Sequence, residues 1–362
     1  MRTVKWGKYK TSKLFKPQKI TNMLSKEDLS DKFCFPVYSS ESSNNGIIGY
    51  TDSPEFVCDD EHPVFVTFGD HTRSFNIATK SFSVLDNVKV LFPSIHNIRC
   101  LLWIITAWQK QIPNLGYARH WKIAKNCIVE LPTNEGEIDF DFMESFIAEL
   151  EAERVAELSA YLKVSGLDNY ELSSEEERAL QGYETLELKE FEYRDIFNRI
   201  KQGRRLKKDD QIPGEIPFVM AGTTNTGVVN YVSNPVASFP KNSITIDIFG
   251  NTFYRNYDFG AGDDTGVYWN SSISYSKEIM LFFATSMSKS IEGKYSYGKK
   301  LRSSQSLDFK MKLPVINDSP DYQFMELLIS AVQKLVIKDV VIYADRKIEK
   351  TKELTKIKKG DE

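Results

Sequence analysis

The sequence predicts an α+β protein made of two similar strand-rich domains that are joined by two long antiparallel helices. Three observations lead to this fold class. Most of the chain repeats with a period of about 180 residues, each copy contains short apolar segments between Gly, Pro, Asn and Asp turns, and each copy ends in apolar residues at helical spacing. A unit of this length can bury its own core, so the repeat indicates a domain duplication rather than a solenoid.

The repeat consists of turn residues and large apolar residues, at positions where the backbone is least free to vary. Residues 36–69 match 217–250 at a step of 181, and residues 131–147 match 313–329 at a step of 182. One inserted residue therefore separates the two registers. The matched residues are Pro36, Gly46, Tyr50, Pro54, Phe68 and Gly69 with Pro217, Gly227, Tyr231, Pro235, Phe249 and Gly250, then Leu131, Pro132, Phe142, Met143, Glu144 and Ile147 with Leu313, Pro314, Phe324, Met325, Glu326 and Ile329.

The predicted elements follow the same order in both copies. We expect strands and then a helix in each, with the first helix at 94–111 and the second at about 276–291. In the polar connector, Ser174 and Glu177 have the spacing of a capping box for a brief helix. The predicted segments are a first domain at 1–138, a long helix at 139–164, the connector at 165–183, a second domain at 184–318, a second long helix at 319–356 and a basic or polar tail at 357–362.

The two long helices differ in charge. The first begins near Asp141, is acid-rich and covers roughly 20 residues, or about 30 Å. The second follows Pro320 and is rich in Lys and Arg. This asymmetry favours a pair of helices that associate through their apolar stripes and opposite charges. The alternative is two solvated faces on unrelated helices.

Composition indicates an ordinary globular chain, at 41% apolar and 27% charged residues. The net charge of −3 hides a segregation, because residues 1–32 are basic and residues 134–197 are acidic. A local surface that binds a polyanion is therefore compatible with the near-neutral total.

Several features favour a cytoplasmic protein. The four cysteines lie in the first copy without a C-x-x-C spacing, which favours reduced thiols. The longest apolar run, at 101–108, is far shorter than the roughly 20 residues of a membrane span. The basic N-terminus lacks the apolar core of a signal peptide. We therefore expect neither export nor membrane insertion.

Catalytic motifs are weak. The G-x-G of DFGAGDD at 258–264 is better explained as a turn than as a cofactor loop, because no N-P-P-Y or D-P-P-Y tetrapeptide accompanies it. Pro320 and Asp321 with Glu326 and Lys334 only loosely resemble a metal nuclease and lie on the predicted helix. The four histidines, His62, His71, His96 and His120, occur only in the first copy and lack ligand spacing. We expect no catalytic residue, metal or cofactor on this chain.

A resemblance to a known family is carried by several segments of the sequence. The chain resembles the specificity (S) subunit of type I restriction-modification systems, and in detail the shorter S subunits of Bcg-like type IIB systems. The resemblance covers nearly the whole chain and is strongest from 183 to 330. The segments are IPFVMAGTTNTGVVNYVSNP, ITIDIFGNTFYRNYDFGA, YSYGKKLR with KLP downstream, the doublet FDFMESFI and YQFMELLI, and the connector YLKVSGLDNYELSSEEE.

The resemblance implies a non-catalytic subunit. Each globular unit would be a target recognition domain that reads one half of a bipartite DNA site. The helices would dock methyltransferase subunits, and a nuclease, where one is used, would be fused to them or accompany them. S-adenosylmethionine (SAM), and ATP or Mg if used, would bind to those partner subunits.

Basic and polar clusters recur in both copies and are the predicted DNA-binding residues, because Lys and Arg suit phosphates while Arg, Asn, Ser and Thr suit base edges. In the first copy they are Lys16, Lys19, Ser42, Ser43, Asn44, Asn45, Arg73, Arg119 and Lys122. In the second copy they are Lys201, Arg204, Arg205, Lys207, Lys208, Thr223, Thr224, Asn225, Tyr254, Arg255, Asn256, Lys299, Lys300 and Arg302.

About 30 Å of helix is close to one turn of B-DNA, so we expect two half-sites with a fixed gap on roughly the same face of the duplex. A change at Arg255 is expected to affect one half-site only. Two rival hypotheses remain, a methyltransferase or nuclease that acts alone and a protein scaffold that does not read DNA. Partner-dependent activity excludes the first, and salt-dependent binding to duplex DNA excludes the second.

Overall fold

The computed structural model describes residues 4–22, 24–234, 236 and 238–360, with side chains as far as Lys352. Pro235, the predicted counterpart of Pro54, lies outside the described residues, as do the last two residues of the predicted tail. The chain divides into two compact units. One contains residues up to Leu158 and those from Lys347 onward, and the other contains Ser159–Arg346.

The first unit contains three small sheets, with strand orders β1-β9-β10, β2-β8-β5-β6 and β4-β3-β7. Its strands are β1 Lys5–Lys10, β2 Phe15–Pro17, β3 Phe35–Tyr38, β4 Ile47–Thr51, β5 Phe65–Gly69, β6 Phe75–Ala78, β7 Ser83–Val84, β8 Val88–Pro93, β9 Ile128–Asn134 and β10 Glu137–Ile138. Its helices are α1 Thr11–Leu14, α2 Ile98–Gln111, α3 Trp121–Ala124 and the greater part of α4 Phe140–Val164.

Helix α2 forms the centre of the first core. Asn97 caps it by accepting hydrogen bonds from the amides of residues 99 and 100, and this fixes its start within the predicted 94–111. Leu101, Ile104 and Trp108 recur at helical spacing and are fully buried. On its exposed side, Arg99 pairs with Glu151 of α4 at 3.1 Å. The apolar stripe holds α2 against the sheets, and the ion pair adds little because it is half exposed.

The second unit repeats this architecture, with strand orders β11-β20-β21, β12-β19-β16-β17 and β14-β13-β18-β15. Its strands are β11 Leu188–Glu192, β12 Arg199–Gln202, β13 Pro213–Val219, β14 Val228–Val232, β15 Ser238–Phe239, β16 Ser243–Asp247, β17 Thr252–Arg255, β18 Phe259–Ala261, β19 Thr265–Trp269, β20 Lys310–Ile316 and β21 Ser319–Pro320. Its helices are α5 Ser174–Gly182, α6 Tyr193–Ile196, α7 Lys277–Ile291 and most of α8 Tyr322–Gly360.

Strand registers confirm the predicted duplication. Val37 pairs in parallel with Ser83, and its counterpart Phe218 pairs in parallel with Gly260. At the step of 182, Leu131 and Leu313 occupy matching places in β9 and β20. The two units share their strand neighbours, and the second adds one strand, β15, to its third sheet. This is what a duplicated α+β domain requires.

The predicted match of Phe68 and Gly69 with Phe249 and Gly250 is wrong. Phe68 lies inside β5 and is fully buried, whereas Phe249 follows β16 in a turn and is 37% exposed. The connection before β5, residues 52–64, is three residues longer than its counterpart at 233–242. Strand β5 therefore matches β16 at a step of 178, and the shared Phe-Gly pair is a coincidence.

Two other predictions need correction. The capping box of α5 uses Ser173 and Glu176, one residue earlier than Ser174 and Glu177, and this turns the Glu176 carboxylate inward. The segment 258–264, predicted to be a turn, begins as strand β18 and turns only after Ala261.

No helix in the described part of the chain is long and apolar enough to cross a membrane. The cysteines are free thiols: Cys34 is exposed, Cys58 and Cys127 are partly buried, and Cys100 is buried. Burial raises the pKa of the Cys100 thiol to about 11, with smaller contributions from the carboxylates of Glu144 and Asp141. The Cys100 thiol therefore stays protonated at neutral pH and packs as an apolar side chain.

Candidate nucleic-acid interface

The turns that join β3 to β4 and β13 to β14 have the same unusual backbone in both units. Three consecutive residues adopt the left-handed conformation in each: Asn44, Asn45 and Gly46 at φ of 46°, 51° and 76°, and Asn225, Thr226 and Gly227 at φ of 48°, 52° and 84°. The two sets are related by the predicted step of 181. We call residues 42–46 and 223–227 the recognition turns, because they contain the predicted base-reading residues Ser42, Ser43, Asn44, Asn45, Thr223, Thr224 and Asn225.

The same hydrogen bonds close both recognition turns. The Gly46 carbonyl accepts from the Ser39 amide at 2.8 Å, and the Gly227 carbonyl accepts from the Met220 amide at 2.9 Å. The side-chain Nδ2 of Asn44 donates to the Ile47 carbonyl at 3.0 Å, and the side-chain Nδ2 of Asn225 donates to the Val228 carbonyl at 3.4 Å. Each turn is therefore preformed, and these two Asn side chains are partly occupied by their own turn.

Glycine is required at the third position of each turn. A Cβ on Gly46 would lie 2.6 Å from Nδ2 of Asn76, and one on Gly227 would lie 2.7 Å from the Met220 carbonyl. Both residues also have positive φ, which favours glycine. The close approach is to backbone only at Gly227, since the Asn76 side chain can shift, so the requirement that both turns share is the positive φ.

Arg255, predicted to read bases, is only 2% exposed and cannot reach them from its place in β17. Its guanidinium donates to the Thr226 carbonyl at 2.6 Å, the Thr226 hydroxyl at 3.1 Å, the Thr245 hydroxyl at 3.1 Å and the Tyr257 hydroxyl at 3.1 Å. Burial lowers the pKa of Arg255 from its ordinary value, although the guanidinium remains charged. Arg255 therefore supports the recognition turn from below.

Beside that turn, the second unit has an open cleft of about 820 Å³. Five cations line it, and all five come from predicted DNA-binding segments that are far apart in sequence. Its polar walls also include Gln211, Asn230 and Asp263. A groove with this lining suits a phosphate backbone. The five cations are Arg205, Lys207, Lys208, Lys300 and Arg302.

Gln202 holds the two basic segments of the cleft together. Its amide oxygen accepts from the Ser303 amide at 2.9 Å, and its amide nitrogen donates to the Asp263 carbonyl at 3.0 Å. Arg302 donates to the same Asp263 carbonyl. The segment after β12 and the loop before β20 are therefore fixed to one turn, which sets the spacing of the cations.

Asp247 links Gly222, the residue just before the recognition turn, to the neighbouring hairpin. This carboxylate is 3% exposed and accepts from the Gly222 amide at 2.9 Å, the Phe249 amide at 2.8 Å, and the backbone and side-chain nitrogens of Asn251 at 3.0 and 2.8 Å. Four donors compensate the cost of burying the charge. Neither Asp247 nor Gln202 was predicted, since single polar residues in strands give no distinctive sequence signal.

In the first unit, Arg73 lies in the β5–β6 turn at φ 62° and is half-buried. Its guanidinium donates to the Ile112 carbonyl at 2.9 Å, and its own carbonyl accepts from Gln109 at 3.0 Å. Arg73 therefore ties this turn to the end of α2, and its predicted contact with DNA stays a prediction.

His120 organises the loop that contains the predicted residues Arg119 and Lys122. The imidazole is fully buried: Nδ1 lies 2.9 Å from the Asp70 carbonyl, and Nε2 accepts from the Leu115 amide at 3.1 Å. This pair of bonds assigns the proton to Nδ1. Arg119 and Lys122 remain exposed on either side of the buried ring. For each histidine the sequence favours a surface or packing role over a ligand role, and the loop-closing role of His120 was not predicted.

The remaining predicted residues divide into two groups. Tyr254 donates to Asn242 at 3.2 Å, and Asn256 follows β17 at the end opposite the 248–251 turn, so neither lies beside the cleft. The others are exposed basic side chains on or next to strands and loops, and two of them stack on aromatic rings, Lys201 on Trp269 and Lys299 on Tyr295. The exposed group is Lys16, Lys19, Lys201, Arg204 and Lys299.

Among the described residues, no cluster of three or more His, Cys, Asp or Glu side chains is placed to hold a metal ion. What the described surface offers is cations, hydroxyls and amides on preformed turns. The turns are present in both units, and the cation-lined cleft lies in the second. Together they define a class of two-domain proteins that bind an extended polyanion through loops.

Comparison with known proteins identifies the family. The chain belongs to the family described as the type I restriction modification DNA specificity domain, which matches twice, at residues 3–160 and 186–342. It is 26% identical over 279 residues to the specificity subunit S.BcgI of the type II restriction enzyme BgcI of Heyndrickxia coagulans, covering 75% of this chain and 78% of that one. The chain is thus a DNA specificity subunit of the restriction-modification class, as the sequence predicted.

A solved structure supports the fold. The type I restriction-modification S subunit of M. genitalium matches with a TM-score of 0.58 at 14% sequence identity, and the match covers 98% of this chain and 95% of that one. At this identity the likeness concerns the fold alone, and it agrees with the duplicated α+β architecture.

Proposed function

We propose that each unit reads one half of a split DNA site, through its recognition turn and its exposed cations, which in the second unit line the cleft beside that turn. The observation that carries this proposal is the recognition turn itself, whose backbone is the same in both units although the two sequences differ. A shared scaffold with different side chains suits two readers of different half-sites. The cleft cations contribute affinity that does not depend on sequence, and the turn side chains contribute discrimination.

We also propose that the chain is non-catalytic and works with methyltransferase subunits. A repeated apolar surface supports this part of the proposal. In the first unit Trp6 is 56% exposed beside Trp103, which packs on Phe146 of α4, itself 45% exposed. We call this surface the apolar patch, and it includes Leu150, which is 39% exposed.

The second unit has the same patch at the equivalent place. An open groove of about 530 Å³ is lined by Leu188, Phe282, Leu328 and Val332. Leu188 matches Trp6, and Phe282 matches Trp103 because α2 and α7 bury equivalent residues at a step of 179. Exposed apolar patches of this kind mark protein interaction sites. Two equivalent patches suit two copies of one partner.

The same partners would supply the chemistry. In this proposal SAM, and ATP or Mg if used, bind to the methyltransferase subunits or to a nuclease that is fused to or accompanies them. The proposed place of action is the cytoplasm. The expectation that α4 and α8 pair and set the gap between half-sites stays a prediction, and the gap found in selected DNA sites tests it.

The decisive experiment is selection from a random-sequence duplex pool with the purified chain, alone and with its methyltransferase. We expect two short preferred sequences at a constant separation, with binding that weakens steeply as salt rises. Methylation is expected only when the partner is added. DNA cleavage or methylation by the chain alone contradicts the proposal, and so does binding without any base preference.

A further inference from the structure

Thr226 has a backbone conformation that its side chain disfavours. Its φ of 52° and ψ of 28° lie in the left-handed region, which β-branched residues rarely enter. At the equivalent place in the first unit stands Asn45, at φ 51° and ψ 31°, and Asn tolerates this region. The two turns have one shape, but only the second places an unsuitable residue at its centre.

Arg255 provides contacts that can hold Thr226 in place. Its guanidinium bonds both the carbonyl and the hydroxyl of Thr226, and on its other side it is anchored by the hydroxyls of Thr245 and Tyr257. No carboxylate forms an ion pair with Arg255 in the described part of the chain. Burying a charge without a counter-ion is unfavourable. The hydrogen bonds of the guanidinium to Thr226, Thr245 and Tyr257 must therefore offset this cost.

The first unit has alanine, not arginine, at the matching place. Arg255 pairs with Ser243 across the hairpin, and the residue in the same place in the first unit is Ala78, which pairs with Phe65. The first unit therefore combines Asn45 with Ala78, and the second combines Thr226 with Arg255. Each combination is consistent with the same turn.

We propose that Arg255 is the positioning residue of the second recognition turn, and that through Thr226 it sets the base preference at the second half-site. The inference rests on the proposed function for its DNA part and on the turn geometry for its structural part. Arg255 acts without touching DNA, because it lies beneath the turn.

The structural part is tested without DNA. Amide hydrogen exchange across residues 223–228 is compared in the full-length wild type, R255M, T226N and the double variant R255M/T226N. We expect exchange at least tenfold faster in R255M, wild-type rates in T226N, and recovery in the double variant because Asn accepts the left-handed backbone unaided. Unchanged exchange in R255M, or no recovery in the double variant, overturns the proposal that Arg255 holds Thr226 in place.

The DNA part uses the random-sequence duplex pool. We expect R255M to lose base preference at one half-site, keep it at the other, and regain the lost preference in R255M/T226N. Equal loss at both half-sites, or no regain, overturns the positioning role. If the wild type shows no base preference but the exchange rates are as expected, the proposed function fails. The structural role of Arg255 at Thr226 then still holds.

Two milder variants make the test independent of whether R255M folds. T226V keeps the shape of the side chain but removes the hydroxyl that accepts from Arg255, whereas Y257F removes a bond from the same guanidinium without touching the turn. We expect faster exchange at the turn and weaker preference in T226V, and neither in Y257F. Equal effects of the two variants overturn the proposal.

Discussion

Lys334 of α8 donates to the Glu176 carboxylate of α5 at 2.8 Å, and both side chains are largely buried. The same carboxylate accepts from the Ser330 hydroxyl at 2.6 Å and from the Ser173 amide at 2.7 Å. The predicted polar connector is therefore held on the second long helix by one charged group with three donors, within the second unit.

This group predicts how stability depends on pH. Burial by itself would raise the pKa of Glu176, but the bonds from Lys334, Ser330 and Ser173 and the charge of Lys334 together lower it from 4.5 to about 2. The stabilisation is therefore present above about pH 4.5 and is lost as the pH falls towards 2, and it amounts to about 2 to 3 kcal/mol. Urea unfolding of the wild type and E176Q between pH 7 and 3 measures it.

We expect E176Q to be less stable at pH 7 and to lose most of the acid sensitivity that Glu176 causes. The matched control is E177Q, which changes an exposed carboxylate on the same helix. Parallel pH profiles of E176Q and the wild type contradict the prediction.

The cleft cations predict a salt effect on DNA binding. K207A and K300A are each expected to weaken binding to all duplexes alike and to reduce the slope of log affinity against log salt by about 1, because each removes one phosphate contact. K241A is the control, since Lys241 is exposed near the end of the hairpin opposite the 248–251 turn. Fluorescence anisotropy at several salt concentrations supplies the slopes, and equal slopes for K241A and K300A count against the cleft.

His120 predicts a loop effect in the first unit. H120L removes the acceptor of the Leu115 amide, so we expect a loss of about 1 to 3 kcal/mol of stability and faster amide exchange around residue 115. Leu is a fair replacement because Leu301 stands at the matching place and its amide donates to Ile248 as that of His120 does to Asp70. H96L, on an exposed histidine, is the control. If the Leu115 amide still exchanges slowly in H120L, His120 does not hold this loop closed.

Thiol chemistry offers a further check on burial. Cys34 is exposed, whereas the Cys100 thiol is buried and its pKa of about 11 leaves little thiolate. We expect iodoacetamide at pH 8 to label Cys34 in the folded protein and to leave Cys100 unlabelled until urea unfolds the chain. Mass spectrometry of tryptic peptides follows both sites, and fast labelling of Cys100 in the native protein contradicts the core packing.

The duplication, the long helix after each strand-rich part and the family were all predicted from the sequence. These features depend on Gly, Pro and apolar residues that recur at regular long-range spacing. Phe249 was wrongly matched to Phe68. The loop before β5 is three residues longer than its counterpart, and a Phe-Gly pair that recurs by chance hid this difference in length. Arg255 was misjudged because residue type does not reveal burial. Asp247 and His120 act through contacts made only in the folded chain, which local spacing does not encode.

The apolar patches predict partner stoichiometry. Leu150 and Val332 occupy equivalent positions on α4 and α8, at a step of 182, and are 39% and 41% exposed. L150E and V332E place a charge in the patch without disturbing a core, so each is expected to remove one bound methyltransferase and the double variant both. Light scattering after size-exclusion chromatography counts the bound copies. E153Q, at an exposed position on α4, is the control. If both single variants bind as many copies as the wild type, the partner docks elsewhere, whereas loss of all binding in either single variant means that the two patches act as one site.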